Sequence, residues 1–420
     1  MNKKEIIELF LEITKIPRCS YNTKKMQNFL VDFAKKYGYS VEVDKTGNIL
    51  ATKNSPKLCL QAHYDMVCVK DAPNIEPIIE NGKIKAKNSS LGADNGAAIA
   101  IMLKLMQEGA NVEFLFTNDE EVGLIGANNL ELNIKSKYML NLDSEDEAVV
   151  FIGCAGGIDL KATKELKEIK KGNKATKIEV QNLPGGHSGV DIDKNIKNAI
   201  YELCKALDTN CLIAEFKGGE KINSIPANAA ALVEKECNIK KYKVKELSFK
   251  EPVSFYDSSF IKDILDSSNG VIEYNKEFNV VESSSNLSLV KLNNNKLEIE
   301  ISIRSLDNNK LNQIANSYKK YWQNRGYSVK LHGKYPGWKP EVNEFTQIVS
   351  KALKEIFKSS KELVIHAGLE CGVLKNRFKN IKFASIGPNI KYPHSAKEEC
   401  EIDSIYKTYE VVKKIIKMLS

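Results

Sequence analysis

Four short apolar runs in this 420-residue chain each give way to a histidine or a carboxylate, two sites of chemistry lying late and early around a long middle stretch of different texture. Leu58-Cys59-Leu60-Gln61-Ala62 leads into His63-Tyr64-Asp65, and residues 112–116 lead into Thr117-Asn118-Asp119-Glu120-Glu121. Residues 138–142 end at Asp143, and the strand-and-turn stretch 383–388 is followed by His394. Runs of this length and composition read as buried strands. Asp94-Asn95-Gly96 opens an apolar helix over 97–106, so strands alternate with helices. That alternation predicts an α/β fold with a mixed, mostly parallel sheet and helices on both faces. Open sheets of this class bind ligands at the carboxyl ends of their strands, where these polar residues fall.

The rest of the chain fills in around that sheet. Residues 3–16 and 22–37 carry helical periodicity, and Gly38 stops the second helix. Residues 40–53 read as a hairpin turning at Lys45-Thr46-Gly47-Asn48, with another hairpin around Asn81-Gly82. After Gly153-Cys154-Ala155-Gly156-Gly157 the texture changes: 161–174 is rich in lysine and glutamate, then 175–181 reads as a strand and 195–207 as a helix. A strand at 296–303, a helix at 310–324 and a strand at 328–331 follow, while Ser283-Ser284-Ser285 and Asp307-Asn308-Asn309 read as exposed turns. The chain leaves this α+β domain at Tyr335-Pro336-Gly337-Trp338 and ends in a helix over 404–419. Residues 1–158 and 335–420 are therefore expected to form one domain, with 159–334 inserted in it.

Composition narrows the function classes. No apolar run approaches the ~20 residues of a membrane span. The amphipathic N-terminus carries Glu5, Glu8 and Glu12, which reads as a helix and not a signal peptide. The nine cysteines lack CxxC pairs, and Cys59, Cys204 and Cys211 read as reduced core residues of a cytoplasmic protein. The net charge of +8 comes from lysines dispersed over the whole length with little aromatic interleaving, a pattern of solubility and not of nucleic-acid binding.

Adjacent carboxylates at Asp119, Glu120 and Glu121 repel one another, and burial would push protons onto them. A cation removes the conflict: one carboxylate ligates it and its neighbour stays free as a base. A solvated acidic turn is the bland alternative for the triplet, a structural histidine for His63, and a helix N-cap for Asp94. Gly92 and Gly96 flank Asp94, as if the backbone there needed unusual dihedrals. His63 and Asp65, at i and i+2, place a carboxylate beside an imidazole, the usual way to orient a histidine ligand. Together, His63, Asp94, Glu121, Asp143 and His394 make an N/O donor set suited to two divalent ions, zinc first and cobalt or manganese as alternatives, bridged by one acid. Two such ions ~3.5–4 Å apart polarise a carbonyl and hold a hydroxide. Glu120, beside a ligand yet spare, fits a general base.

The stretches His63-Tyr64-Asp65-Met66-Val67, Gly92-Ala93-Asp94-Asn95-Gly96, Asp119-Glu120-Glu121, Asn141-Leu142-Asp143-Ser144 and Pro393-His394-Ser395 resemble the motifs of the M20 metallopeptidases, and more closely the Xaa-His dipeptidase branch. Gly185-Gly186-His187-Ser188-Gly189 and His366-Ala367-Gly368-Leu369-Glu370-Cys371-Gly372 add to the likeness, which runs from about residue 10 to the C-terminus. The resemblance implies a catalytic domain and an inserted lid. It assigns one ion to His63, Asp94 and Asp143, the other to Asp94, Glu121 and His394, with Glu120 as base and Asp65 supporting His63. It also implies that His187 stabilises the oxyanion, that Asn223 and Arg304 bind the peptide group and terminal carboxylate, and that His366, Gly368 and Glu370 line the amino end. The implied substrate is an unblocked dipeptide, on a monomer or homodimer with no membrane or nucleic-acid partner. Departures are Ala62 and Ala396, where relatives carry glycine and proline, and a short lid, which leaves substrate choice open. An N-acyl amino acid deacylase or carboxypeptidase on the same scaffold, or a non-catalytic peptide binder, are the rival readings; a spare base beside a full ligand set argues against the last.

Overall fold

The mixed sheet is built so that its central strands end side by side. In this computed structural model, which describes residues 2–207, 210–234 and 244–420, eight strands run in the order Ser40–Val43, Ile49–Thr52, Glu113–Thr117, Leu58–His63, Tyr138–Asn141, Lys382–Ser385, Val149–Cys154 and Lys361–Ile365. Leu58–His63 pairs in parallel with both Glu113–Thr117 and Tyr138–Asn141, and Lys382–Ser385 pairs in parallel with Tyr138–Asn141. The register sets His63 opposite Thr117, and Asn141 opposite both Gln61 and Ser385. The loops carrying Asp65, Glu120 and Asp143 therefore leave from one edge. Antiparallel strands at the flanks make the sheet mixed, as the sequence predicts.

Every residue of Leu58–His63 and Glu113–Thr117 is buried, the signature of strands covered on both faces. The helices Asn2–Ile13, Ala93–Gln107, Glu344–Phe357 and Ile402–Leu419 pack as one group, and Ile125–Asn128 packs on Glu370–Arg377 as another. The hairpin turn is held by Asp44, whose Oδ1 accepts the N–H groups of Thr46 and Asn48 while Gly47 supplies a positive φ. The Asn81-Gly82 hairpin forms as expected between Pro77–Glu80 and Lys83–Ala86.

The chain divides into two compact units, one of Met1–Cys154, Pro340–Val364 and Leu369–Ser420, the other of Ala155–Lys339 and Ile365–Gly368. The second unit carries a nine-stranded sheet whose pairings are all antiparallel, from Ala229–Glu234 through Glu168–Val180, Val244–Tyr256, Ile213–Gly218, Val280–Asn293, Lys296–Ser305 and Gly156–Glu165 to Ser328–Tyr335, with Gly270–Asn275 on Val280–Asn293. The helices Ala199–Ala206, Ser259–Leu265 and Asn308–Gln323 bury Leu203, Phe260 and Trp322 in its core.

Three sequence expectations are corrected here. Ser283-Ser284-Ser285 is no exposed turn: it lies inside the strand Val280–Asn293 and is buried. Its hydroxyls find partners at Ser305, His366 and Tyr318, so none of the three buried serine hydroxyls is left unpaired. Asp307 does not turn the chain freely but caps Asn308–Gln323, accepting the N–H groups of Asn309 and Lys310. The cysteines are not all reduced. Cys19 and Cys68 form a disulfide across 49 residues, and Cys211 is disulfide-bonded, whereas Cys59 and Cys204 are buried free thiols. No CxxC spacing announces the first bridge because tertiary pairing of Cys19 with Met66 brings its halves together.

Candidate metal centre

Each functional side chain is set by the backbone that carries it. His63 is the last residue of its strand and Asp65 lies two further on, both buried. Asp94 stands at the start of Ala93–Gln107 with non-helical dihedrals (φ −82, ψ 107), after Gly92 in the left-handed region, and the Asp94–Asn95 peptide is cis. No side chain caps this helix, so the N-cap reading of Asp94 does not hold. Asp119 turns the chain with φ 51, placing Glu120 and Glu121 beyond Glu113–Thr117. His394 also has positive φ, 57, a conformation that His tolerates better than most residues.

The geometry around Asp94 is two-sided. Its Oδ1 lies 3.1 Å from His63 Nε2, and its Oδ2 lies 3.0 Å from His394 Nε2. A second carboxylate faces each imidazole: Asp143 Oδ1 is 3.2 Å from His63 Nε2, and Glu121 Oε2 is 2.9 Å from His394 Nε2. On its other ring nitrogen, His63 lies 3.4 Å from Asp65 Oδ1. Ligand atoms of His63, Asp94 and Glu121 all lie within 4.8 Å of one another. The structure thus brings all five expected ligands together. Asn95 donates its Nδ2 hydrogen to Asp143 Oδ1, fixing that carboxylate.

So many acids cannot all stay charged in a buried site without cations. Burial pushes the Glu120 carboxyl well above its usual range, and the neighbouring Glu121 adds to the effect. Burial, with Asp94 nearby, raises Glu121 to about 7, and the same two causes raise Glu145 to about 8. Burial opposes protonation of His394, yet its bonds to Asp94 and Glu121 raise it to about 11. Burial likewise opposes charge on His63, and Asp143, Asp65 and Asp94 together override it and hold its proton affinity well above normal. Two protonated imidazoles clamped by acids are the proton-filled form of a divalent-metal site. Glu121 Oε1 is buried with no hydrogen-bond partner, a donor pair in want of a positive charge. His63, Asp94 and Glu121 fit a metal ion, and Asp143 and His394 add donors beside them.

A family model described as peptidase family M20/M25/M40 matches residues 59–418. The chain belongs to that family. It is similar to the cytosol non-specific dipeptidase of Escherichia coli (strain K12), 30% identical over 474 residues that span 99% of this chain and 98% of that one. Among solved structures it resembles the crystal structure of aminoacylhistidine dipeptidase from Vibrio alginolyticus, with TM-score 0.78, 28% identity, and coverage of 99% of this chain and 96% of the other. A tripeptidase from Staphylococcus aureus shares the fold at TM-score 0.67 and 19% identity, covering 99% of this chain and 98% of that one.

In this M20/M25/M40 peptidase the second unit gathers most of the remaining expected residues. The backbone of His187 pairs with Ser224, next to Asn223, whose carbonyl accepts the Ser188 N–H at 2.9 Å. His187 Nδ1 accepts the N–H groups of Gly189 and Val190, so the ring proton sits on Nε2. Buried Arg304 donates Nη1–H to Tyr335 Oη at 2.7 Å and reaches Ser188 Oγ with Nη2 at 3.5 Å. His366 Nε2 is 2.8 Å from Ser284 Oγ, and burial, helped by the Arg304 charge, lowers its proton affinity to about 3. A Cβ on Gly368 would come within 2.7 Å of the Tyr335 ring, so a larger residue there would have to displace that ring. Glu370 belongs to the first unit: it is fully buried, and its Oε2 accepts from Gln61 at 2.5 Å and Thr117 at 2.7 Å.

Sequence reasoning missed Glu145, Asn95, Arg18 and Glu398. Glu145 lies two residues after Asp143 and Glu398 four after His394, but neither follows an apolar run that would have singled it out.

Proposed function

We propose that this chain is a two-metal dipeptidase that hydrolyses unblocked dipeptides, those with a C-terminal histidine (Xaa-His, β-Ala-His) among them. The observation that carries the reading is Asp94, whose two oxygens are divided between His63 and His394, each imidazole being faced by a further carboxylate. On this reading His63, Asp94 and Asp143 hold one ion, and Asp94, Glu121 and His394 the other, with zinc the expected metal and cobalt or manganese substitutes. When bound, such ions supply Lewis-acid polarisation of the scissile carbonyl and a lowered water pKa.

The chain's own groups do the rest. Asp65 orients His63 and, through the N–H groups of Glu120 and Glu121, the turn that carries the base. Glu120 takes the proton of the attacking water and returns it to the leaving amine, a role that suits a buried carboxyl with raised proton affinity. His187, with its proton held on Nε2, is assigned as the hydrogen-bond donor to the developing oxyanion. Arg304 is assigned to the substrate's terminal carboxylate and Asn223 to its peptide group. His366, Gly368 and Glu370 are assigned to the amino end. The dipeptidase names of the Escherichia coli and Vibrio alginolyticus relatives support the substrate class, and the first of those names supports a cytosolic setting. The assembly is proposed to be a monomer or a homodimer.

The test is a panel of Gly-His, β-Ala-His, Ala-Ala, a tripeptide and an N-acetyl amino acid, assayed with added Zn²⁺, Co²⁺ or Mn²⁺. Turnover of the free dipeptides is expected. Turnover confined to the acetylated compound would move the protein to the deacylases, and turnover confined to the tripeptide would move it to the tripeptidases.

A further inference from the structure

Of the five chain segments that bring ligands to the centre, three, around His63, Asp94 and His394, are joined by two buried charges outside the ligand set. Glu398 is 2% exposed and accepts four successive backbone N–H groups. Its Oε2 takes those of Leu91 at 2.7 Å and Gly92 at 2.9 Å; its Oε1 takes those of Ala93 at 2.8 Å and Asp94 at 3.2 Å. Both oxygens are thereby occupied, so Glu398 is not a ligand in waiting. Four residues upstream on the same loop is His394.

Arg18, 1% exposed, closes the other side. Its Nη1 donates to the carbonyls of Tyr64 at 3.2 Å and Asp65 at 2.9 Å, and its Nη2 donates to the carbonyl of Gly92. Gly92 is therefore held by its N–H from Glu398 and by its C=O from Arg18. A Cβ at Gly92 or Gly96 would run into Arg18 Nη2, so both glycines make room for the guanidinium. Burying a charge is costly, Arg18 Nε is left without a hydrogen-bond partner, and an apolar filler would pack the space more cheaply. What these two charges do that an apolar pair would not is fix the backbone of three loops to one another.

We propose that Arg18 and Glu398 are positioning residues of the metal centre, clamping the loop that carries Asp94 so that one carboxylate oxygen faces each ion. This rests on the two-metal reading above. The measurement is metal titration of the metal-free protein by calorimetry with Zn²⁺ and Co²⁺, the visible spectrum of the Co²⁺ form, and kcat and KM on Gly-His. It compares wild type with Glu398→Gln and Arg18→Lys. Gln keeps the shape but turns an NH₂ toward two of the four N–H donors; Lys keeps the charge but loses the fork.

Folded apo-proteins with about 10–100-fold weaker binding of at least one ion, shifted Co²⁺ bands, and a fall in kcat with KM little changed are expected. Where one variant does not fold, the other decides. Wild-type affinity and spectrum in the folded variants would overturn the proposal. Loss of the folded apo-protein in both would also overturn it, marking the pair as scaffold residues. Absence of metal binding by the wild type would instead remove the two-metal reading itself.

Discussion

Asp65 settles two parts of the centre with one side chain. It accepts the N–H groups of Glu120 and Glu121 and the hydroxyl of Ser20 while lying against His63 Nδ1, so its charge orients an imidazole and the base-bearing turn together. Asp65→Asn would aim an NH₂ at some of those donors. Metal affinity or activity should fall about 10–100-fold, as outer-sphere changes of this kind do, and paired metal titrations and initial rates will show it. His366 carries a pH prediction. Its folded-state proton affinity is lowered to about 3 by burial first and by the Arg304 charge second. The unfolded chain therefore binds this proton first, and stability falls as pH drops from about 6.5 toward 3, by at most roughly 1.4 kcal/mol per unit, and is flat above. Melting curves of wild type and His366→Gln from pH 4 to 8 should converge at the acid end. The sequence revealed Asp65 because it sits next to a histidine at a strand end. Arg18 and Glu398 were hidden because they act on backbone groups, which any sequence supplies.

At the level of elements, the strands that end at His63, Thr117 and Asn141 were legible because each is a short apolar run broken by polar residues. The strand Val280–Asn293 was not, since Ser283, Ser284 and Ser285 give it the composition of a loop. Its burial depends on hydrogen-bond partners from other strands, helices and loops, which no local window contains. Lys161 and its neighbours were read as a charged stretch for a related reason: Gly156–Glu165 pairs on both edges within the sheet while Lys161 meets the cross-strand acids Glu298 and Glu300. The cap at Asp307 gives a clean test of element stability. Asp307→Ala leaves the N–H groups of Asn309 and Lys310 without their acceptor and should cost about 1 kcal/mol in urea unfolding, with no change in metal content.

Across the whole molecule, residues far apart in sequence converge on one buried cluster in which acids outnumber bases. Asp65, Asp94, Glu120, Glu121, Asp143, Glu145, Glu370 and Glu398 face only Arg18, His63 and His394 among the shifted groups of the centre. The strand-end positions indicated which residues could meet, and the family resemblance implies how they would divide between two ions. The disulfide at Cys19–Cys68 and the membership of Ile365–Gly368 in the second unit had no such local signature. The central claim is that Asp94 bridges two ions, and the direct measurement is the number of zinc ions bound per chain in wild type, Glu120→Ala and His394→Ala. Two in wild type, two in Glu120→Ala and one in His394→Ala is the predicted result. A single ion in wild type, held by His63, Asp94 and Glu121 alone and unaffected by His394→Ala, would contradict it.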